Sequence, residues 1–548
     1  MRLLCCDAVL LLVCLSHSLL LGQEPGTTQF EDTTYASPVR PGDPGHVPFW
    51  NQFTRRFIYP PAFNFIDSTG APPYRFLVTS VKDSHLYSFI AVKPWGPLTP
   101  VWRALSPGEY VLRVESLPSG RRVGERLFMK SPHFRGITET PAYPYVESAR
   151  RCFADLFSQE KVKAWLTVGD PYPFYPKWIY PAKMMGSLAA GMAHYARLVE
   201  EQSRRAAVLT VARRAADFLI SRSEPAGTPW EYCPPTFWDG VNADVHPVFM
   251  GELMTSEPAE TGMCYLDLYE ASGDTAYLGA TLRIGRTYVS RQLSQGTWHQ
   301  RIDTKTGKPR EPALMVPAAV IVFFDRLIAH YGREELRGAR EHAFRWCMDH
   351  PMVTFNWEAQ FEDTRPRDQY KNQSHREAVM FAALLFRQSR VRPEYLPRAI
   401  ELLRWAEDSF VVWDRIDPIL TSLWFKPNTR WNGNDPYFGS DWFVPCALEQ
   451  YAFFTPINGA SAAFIDAFAD AFRATGDTVY LAKAVALANT LTIAQRYWGG
   501  GEIPTHLRTV MPELNWMNAS LQTAISLLRN ADLLNSLPAA REQKGTTR

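Results

Sequence analysis

From about Pro141 to residue 535, apolar residues recur every three or four positions, the spacing of amphipathic helices. The pattern predicts helices over 145–160, 181–200, 203–222, 259–272, 274–292, 314–332, 334–350, 374–390, 393–412, 447–475, 477–496 and 518–535. Before it, from about Tyr74 to Met129, apolar and polar positions alternate. Phe76–Lys82, His85–Lys93, Tyr110–Ser116 and Val123–Met129 read as strands divided by turn residues.

Two distant stretches nearly coincide. Tyr265-Leu-Asp-Leu-Tyr-Glu-Ala-Ser-Gly-Asp-Thr-Ala-Tyr-Leu278 matches Phe468-Ala-Asp-Ala-Phe-Arg-Ala-Thr-Gly-Asp-Thr-Val-Tyr-Leu481. In each, an apolar helix ends at a glycine able to adopt the left-handed conformation, and the following aspartate can cap the next helix. That is a helical hairpin, repeated. Further junctions near Arg204, Arg333 and Pro393 give steps of about 70, 60, 60 and 84 residues, too long for a 34-residue solenoid unit. Each repeat therefore has more than 20 residues to spare for a long loop, and long loops on a rigid scaffold are where function concentrates. Twelve helices in six hairpins would close into an (α/α)6 toroid, with small-residue inner helices such as Met184–Ala193.

Composition narrows the function classes. The 548 residues carry 58 basic and 56 acidic side chains, a net charge of +2, so no nucleic-acid footprint shows. Seventeen Trp and 23 Tyr form either an aromatic core or, in part, platforms for the C–H faces of sugars. Residues 1–22 read as a secretory signal, with Arg2 ahead of the apolar run Val9–Leu21. Val13 before Cys14 makes a poor lipid-attachment box. No later run is apolar enough to span a membrane. Residues 23–45 and 538–548 read as disordered. Cys152, Cys233, Cys264, Cys347 and Cys446 are widely spaced with no C-x-x-C, which points to buried thiols rather than disulfides or zinc. No ligand spacing calls for a metal or cofactor.

The expected organisation is a small β-sandwich of the immunoglobulin or fibronectin type over 46–140, then a helical toroid over 141–537. Hairpins joined through Thr-Gly-Asp-x-x-Tyr-Leu (Ser272 replaces the Thr in the first copy), behind a β-sandwich and a secretion signal, resemble the six-hairpin glycosidase superfamily. The resemblance covers most of residues 141–535. It implies a carbohydrate-active enzyme: a glycoside hydrolase, an unsaturated-uronyl hydrolase, a polysaccharide lyase or a sugar epimerase. The glycine- and aspartate-rich signature of endoglucanases with this domain order is missing.

Four loops hold the candidate chemistry. The first, Trp230–Gly240 and on to His246, offers Trp238, Asp239, Asp244 and His246, which read equally as turn and capping residues. In the second, Glu358, Glu362 and Asp363 lie beside Trp357 and Phe361, where an apolar neighbour could raise a carboxyl pKa to suit a general acid. Arg365, Arg367, Tyr370, Lys371 and Asn372 follow, and the arginines suit a uronate carboxylate. The third, Trp424–Trp442, interleaves Trp431, Tyr437 and Trp442 with Asn434, Asp435 and Asp441, rings to stack and groups to read hydroxyls. The fourth runs from Gly499 through Glu502 and His506 to Trp516, and lacks the Lys-Ser/Thr of a phosphate loop. Hydrolysis would pair an acid of the second loop, Glu362 foremost, with one of the third or first. A uronate lyase or C5-epimerase would use Tyr370, His246 or His506 as base, and a non-catalytic glycan-binding protein would need no acid pair.

Overall fold

The computed structural model describes residues 54–537 apart from 64, 66–70, 95, 240–246, 367–368, 416–440, 452–453 and 511–514. The expected signal, leader and tail lie outside the described residues.

Seven strands precede the helices: β1 (Arg56–Phe57), β2 (Ala62–Phe63), β3 (Tyr74–Ser80), β4 (Leu86–Ala91), β5 (Gly96–Pro97), β6 (Gly108–Ser116) and β7 (Arg122–Lys130). Five form one sheet in the order β1-β7-β6-β3-β4, antiparallel except for β1 against β7. The long strands alternate as their sequences do. On β3, Tyr74, Phe76 and Val78 are buried while Arg75 is exposed. The layer against this sheet is a β2–β5 ribbon and a helical turn, Thr99–Trp102. Phe63 meets Phe128 at 5.7 Å and Trp102 stacks on the same ring at 6.1 Å.

The helices follow as α1 (Tyr145–Ser158), α2 (Glu160–Thr167), α3 (Pro181–Leu198), α4 (Gln202–Ser221), α5 (Glu257–Ser272), α6 (Thr275–Arg291), α7 (Ala318–Tyr331), α8 (Arg337–Asp349), α9 (His375–Ser389), α10 (Leu396–Phe410), α11 (Asn458–Thr475), α12 (Thr478–Tyr497) and α13 (Met517–Asn535). Packing runs α3–α5–α7–α9–α11–α13, and α13 returns to α3, closing a ring. The outer partners are α4, α6, α8, α10 and α12, with α1 against α13 as the sixth. Close inner packing uses small residues: a Cβ on Gly262 of α5 would sit 2.6 Å from the Phe323 ring of α7.

The repeated junctions behave as their residues dictate. Gly273 and Gly476 take φ of 72° and 71°. Asp274 accepts from the Ala276 amide at 3.0 Å and Asp477 from that of Val479 at 2.9 Å. These tight turns lead from inner to outer helices, so the long connections back place the first turns of all six inner helices at one end.

Two expected boundaries differ. The helix expected over 447–475 starts only at Asn458, because Cys446–Ala447 pairs with Val411–Val412 as a two-stranded ribbon and Ile457 is extended. The helix expected over 145–160 breaks at Gln159, also extended (ψ 145°), and α2 begins directly after it. The β unit docks on α10 and α12 through buried charges. Fully buried Arg56 donates to the carbonyls of Ser409 (3.2 Å) and Val411 (2.5 Å). Asp408 accepts from the Ile58 and Tyr59 amides, and Glu407 pairs with Lys483 at 3.0 Å.

Candidate active site

The loop-bearing end of the ring is unusually charged for the mouth of an apolar bundle. Lys183 stands in the first turn of α3, Glu257 and Glu260 in that of α5, and Arg376 and Glu377 in that of α9. Acids here are favoured by the helix dipole; the two cations are not, and need carboxylate partners.

Arg376 pairs with Glu260 of α5, and the 350–374 connection supplies the partner of Lys183. Its Glu362 is almost completely buried and accepts from the Lys183 ammonium at 2.6 Å. The turn presenting Glu362 is clamped from two sides. Arg301, on the strand Arg301–Asp303, donates to the carbonyls of Phe361 (2.6 Å), Glu362 (3.2 Å) and Thr364. Arg376 donates to the Gln360 carbonyl at 2.9 Å and pairs with Glu260. The Gln360 side chain in turn holds the Val316 amide and the Leu314 carbonyl, each at 2.9 Å. Carboxylates held on gripped backbone keep their geometry without help from a ligand.

The electrostatics separate these acids. Burial pushes Glu362 up, but the Lys183 charge and hydrogen bond outweigh it and hold the carboxyl below its ordinary value. Burial, then the Glu362 charge, raises Glu257 to about 8. Asp363 is raised by the same two causes. Unlike Glu362 it is exposed. Glu449, half-buried in the connection before α11, is raised to about 7 by desolvation and by Asp363 and Glu362. Glu377 also reaches about 7, from burial. His375 is pushed down to about 4 by burial; its ring lies near Phe410 and Phe464, and its Nδ1 is 2.7 Å from the Glu449 carbonyl.

An aromatic wall adjoins the acids. Trp516, just before α13, stacks with Tyr180 at 5.8 Å, and the Lys183 ammonium lies 5.1 Å from its ring. Tyr180 leads to Phe237 and on to Phe249, over which Arg365 sits at 4.8 Å. Arg365 is itself paired to Glu252 (3.0 Å) and Glu311 (3.5 Å).

Of the residues singled out from sequence, Glu362, Asp363, Arg365 and Trp516 come together here. Others stand apart. Trp357, expected as an apolar neighbour of the second-loop acids, is fully enclosed against Phe381. Asn372 is buried on Gln450, and the Tyr370 hydroxyl donates to the Thr354 carbonyl at 2.9 Å. Trp442 is buried, packing toward Phe454, and Asp441 pairs with Arg508 at 2.5 Å. Trp238 turns onto Phe218 of outer helix α4. Asp239 is exposed beside residues not described. Glu358 bridges to Gln373 in an antiparallel pair, and His506 to Ile457. Asp244, His246, Arg367, Trp431, Asn434, Asp435 and Tyr437 lie outside the described residues. The five cysteines are free thiols, four of them buried.

No protein-family model matches the sequence, nor does any curated protein. Solved structures are similar in fold. One is a family 76 glycoside hydrolase from a bovine Bacteroides thetaiotaomicron strain, with 11% identity, 85% of this chain and 94% of that one covered, and a TM-score of 0.47. A cellobiose 2-epimerase from Spirochaeta thermophila shows 13% identity, 72% and 100% coverage, and 0.49. A D-mannose isomerase shows 12%, 72% and 100%, and 0.49. The first two belong to the six-hairpin glycosidase superfamily, the group the sequence resembles. At such identities and scores the likeness carries nothing about activity, which must come from the site.

Sequence reading passed over Lys183, Glu257, Glu260, Arg376, Glu377 and Glu449, and the clamp Arg301. A signal was present: charged residues interrupting the first turns of the most apolar helices, as in Pro181-Ala-Lys-Met-Met-Gly186. Arg301 lies in the connection 292–317, outside the four loops weighed.

Among the described residues, no helix is long and apolar enough to cross a membrane.

Proposed function

We propose that this chain is a secreted carbohydrate-active enzyme and, most specifically, a glycoside hydrolase. One observation carries the reading: carboxyls from separate segments, Asp363, Glu449 and the Glu362–Lys183 pair, converge at the mouth of a closed helical ring beside the Tyr180–Trp516 stack. Reacting groups must reach the substrate, and exposure divides the cluster. Glu449, half-buried and raised to about 7, is the general acid that protonates the leaving oxygen. Asp363, exposed, is its carboxylate partner, acting on the sugar or on water. Glu362, buried and held ionised by Lys183, is a positioning residue: burial and the charges of Asp363 and Glu362 favour the proton on Glu449, against the opposing charge of Lys183. Trp516 is the platform for a pyranose face. Residues 1–22 are the secretion signal, and the β unit is a small sandwich-like cap on the ring.

The alternative, a uronate lyase or C5-epimerase, needs a neutral base and a cation free for the uronate. Of its expected arginines, Arg365 is already shared between two glutamates, and Arg367 lies outside the described residues. The test is a polysaccharide panel read for reducing ends and for absorbance near 235 nm. New reducing ends without absorbance are expected, and are to vanish in Glu449→Gln. Absorbance would establish a lyase; binding with neither signal would reduce the protein to a glycan-binding module.

A further inference from the structure

The acids at the ring mouth outnumber the cations they meet. Glu257, Glu260, Glu362, Asp363, Glu377 and Glu449 surround Lys183 and Arg376. Lys183 is taken by Glu362, and Arg376 by Glu260 with Glu377 at 3.5 Å. Nearby, Arg301 and Arg365 are occupied by Glu311 and Glu252. Glu257 is only 4% exposed, yet its Oε2 has no hydrogen-bond partner, and its carboxyl lies beside the Lys183–Glu362 pair, whose charges act on it directly. A buried polar atom left without a partner has a large incentive to acquire one.

We propose that the sugar unit this cleft accepts carries a protonated amine, as a 2-amino-2-deoxy glycoside does, with the ammonium seated against Glu257 and the surplus carboxylates. This rests on the reading of the site as a glycoside-binding cleft and names its substrate class. A uronate carboxylate would meet a cluster of acids whose two cations, Lys183 and Arg376, are already paired, and is disfavoured there. A metal cation is disfavoured by geometry: among the described residues no three His, Cys, Asp or Glu side chains are grouped to ligate one. Surplus negative charge would also favour the positive charge that develops during any glycoside cleavage, but that effect acts on all sugars alike and not on ground-state binding.

The test is binding to the full chain by titration calorimetry. The probes are matched β-1,4 tetramers of glucosamine, N-acetylglucosamine, glucose and glucuronate, with methyl glycosides of both anomers. Calcium alone is a further probe. The amine is expected to bind about tenfold or more tighter than its neutral counterpart, with the uronate weakest. The advantage should shrink in Glu257→Gln; the wild-type ratio decides even if that variant fails to fold. Equal or weaker binding of the amine, preference for the uronate, absence of binding by any sugar, or tighter binding of calcium would each overturn the inference. Selective amine binding with no cleavage would uphold it while removing the hydrolase reading; indiscriminate binding with cleavage would do the reverse.

Discussion

Two Lys–Glu pairs, one where the β unit docks and one at the ring mouth, are built differently. Where the β unit docks, Lys483 meets Glu407, and each Glu407 oxygen has a further donor, the Tyr59 hydroxyl at 3.0 Å and the Trp413 indole at 2.8 Å. Arg56 and Asp408 complete a set with equal numbers of each sign. At the ring mouth, Lys183 meets Glu362 amid a surplus of acids, and Glu257 and Glu377 each keep one oxygen unpartnered. A raised pKa does not tell the two apart, since burial lifts Asp408 to about 7 as well. Saturation does. A network whose donors and acceptors are all used is adhesive; one left with unpaired charge costs stability and is kept for what it binds.

The comparison can be broken in order of effect. Glu449→Gln and Asp363→Asn should each lower kcat by about 10²–10⁴-fold without lowering the melting temperature, as loss of a reacting carboxyl does; near-normal turnover in both would dissolve the proposed site. Lys483→Met at the dock should do the opposite, costing about 3–5 kcal/mol of stability while an intact ring still turns over substrate. A dock variant with wild-type melting would show that the two networks are not distinct in kind.

The pH dependence sharpens the contrast. The acid role of Glu449 requires its proton, so the rate should fall as pH rises through about 7, and fall again in acid as Asp363 protonates. Stability carries the same sign. Folded-state values raised above ordinary carboxyl values mean that Glu257, Glu377 and Glu449 leave the fold unpenalised below about pH 4. Their burden grows as pH rises from the ordinary carboxyl range and is complete above the folded-state values of about 7 to 8. Glu449→Gln should therefore stabilise the protein at pH 8 by about 1 kcal/mol, read as a small rise in melting temperature, and do nothing at pH 4. Outside both networks, Asp274→Ala and Asp477→Ala should each cost about 1 kcal/mol by removing a helix cap, the smallest of these effects, measured by denaturant titration.

Much of the scaffold was legible in the chain. The Gly-Asp junctions at 273–274 and 476–477 announced hairpins because a left-handed glycine and a capping aspartate are local requirements, satisfied by neighbours in sequence. The four β runs appeared within a few residues of their places for the same reason. The site was legible only in part. Glu362, Asp363 and Trp516 were found because polar and aromatic residues crowd their loops. Trp357 and Asn372 shared that signature but are enclosed, since composition does not say which side of a loop faces the ring. Lys183, Glu257 and Arg376 were hidden in helices read as apolar scaffold.

The sequence alone determined the helical hairpins, their repetition and the β-then-α order, because periodicity, caps and turns act over a few residues. Which acids meet was decided only by closure of the ring. Lys183 and Glu362 are separated by 179 positions in the chain, and a pairing at that range, like the pKa values that follow from it, exists only once the packed helices have brought both ends to one place.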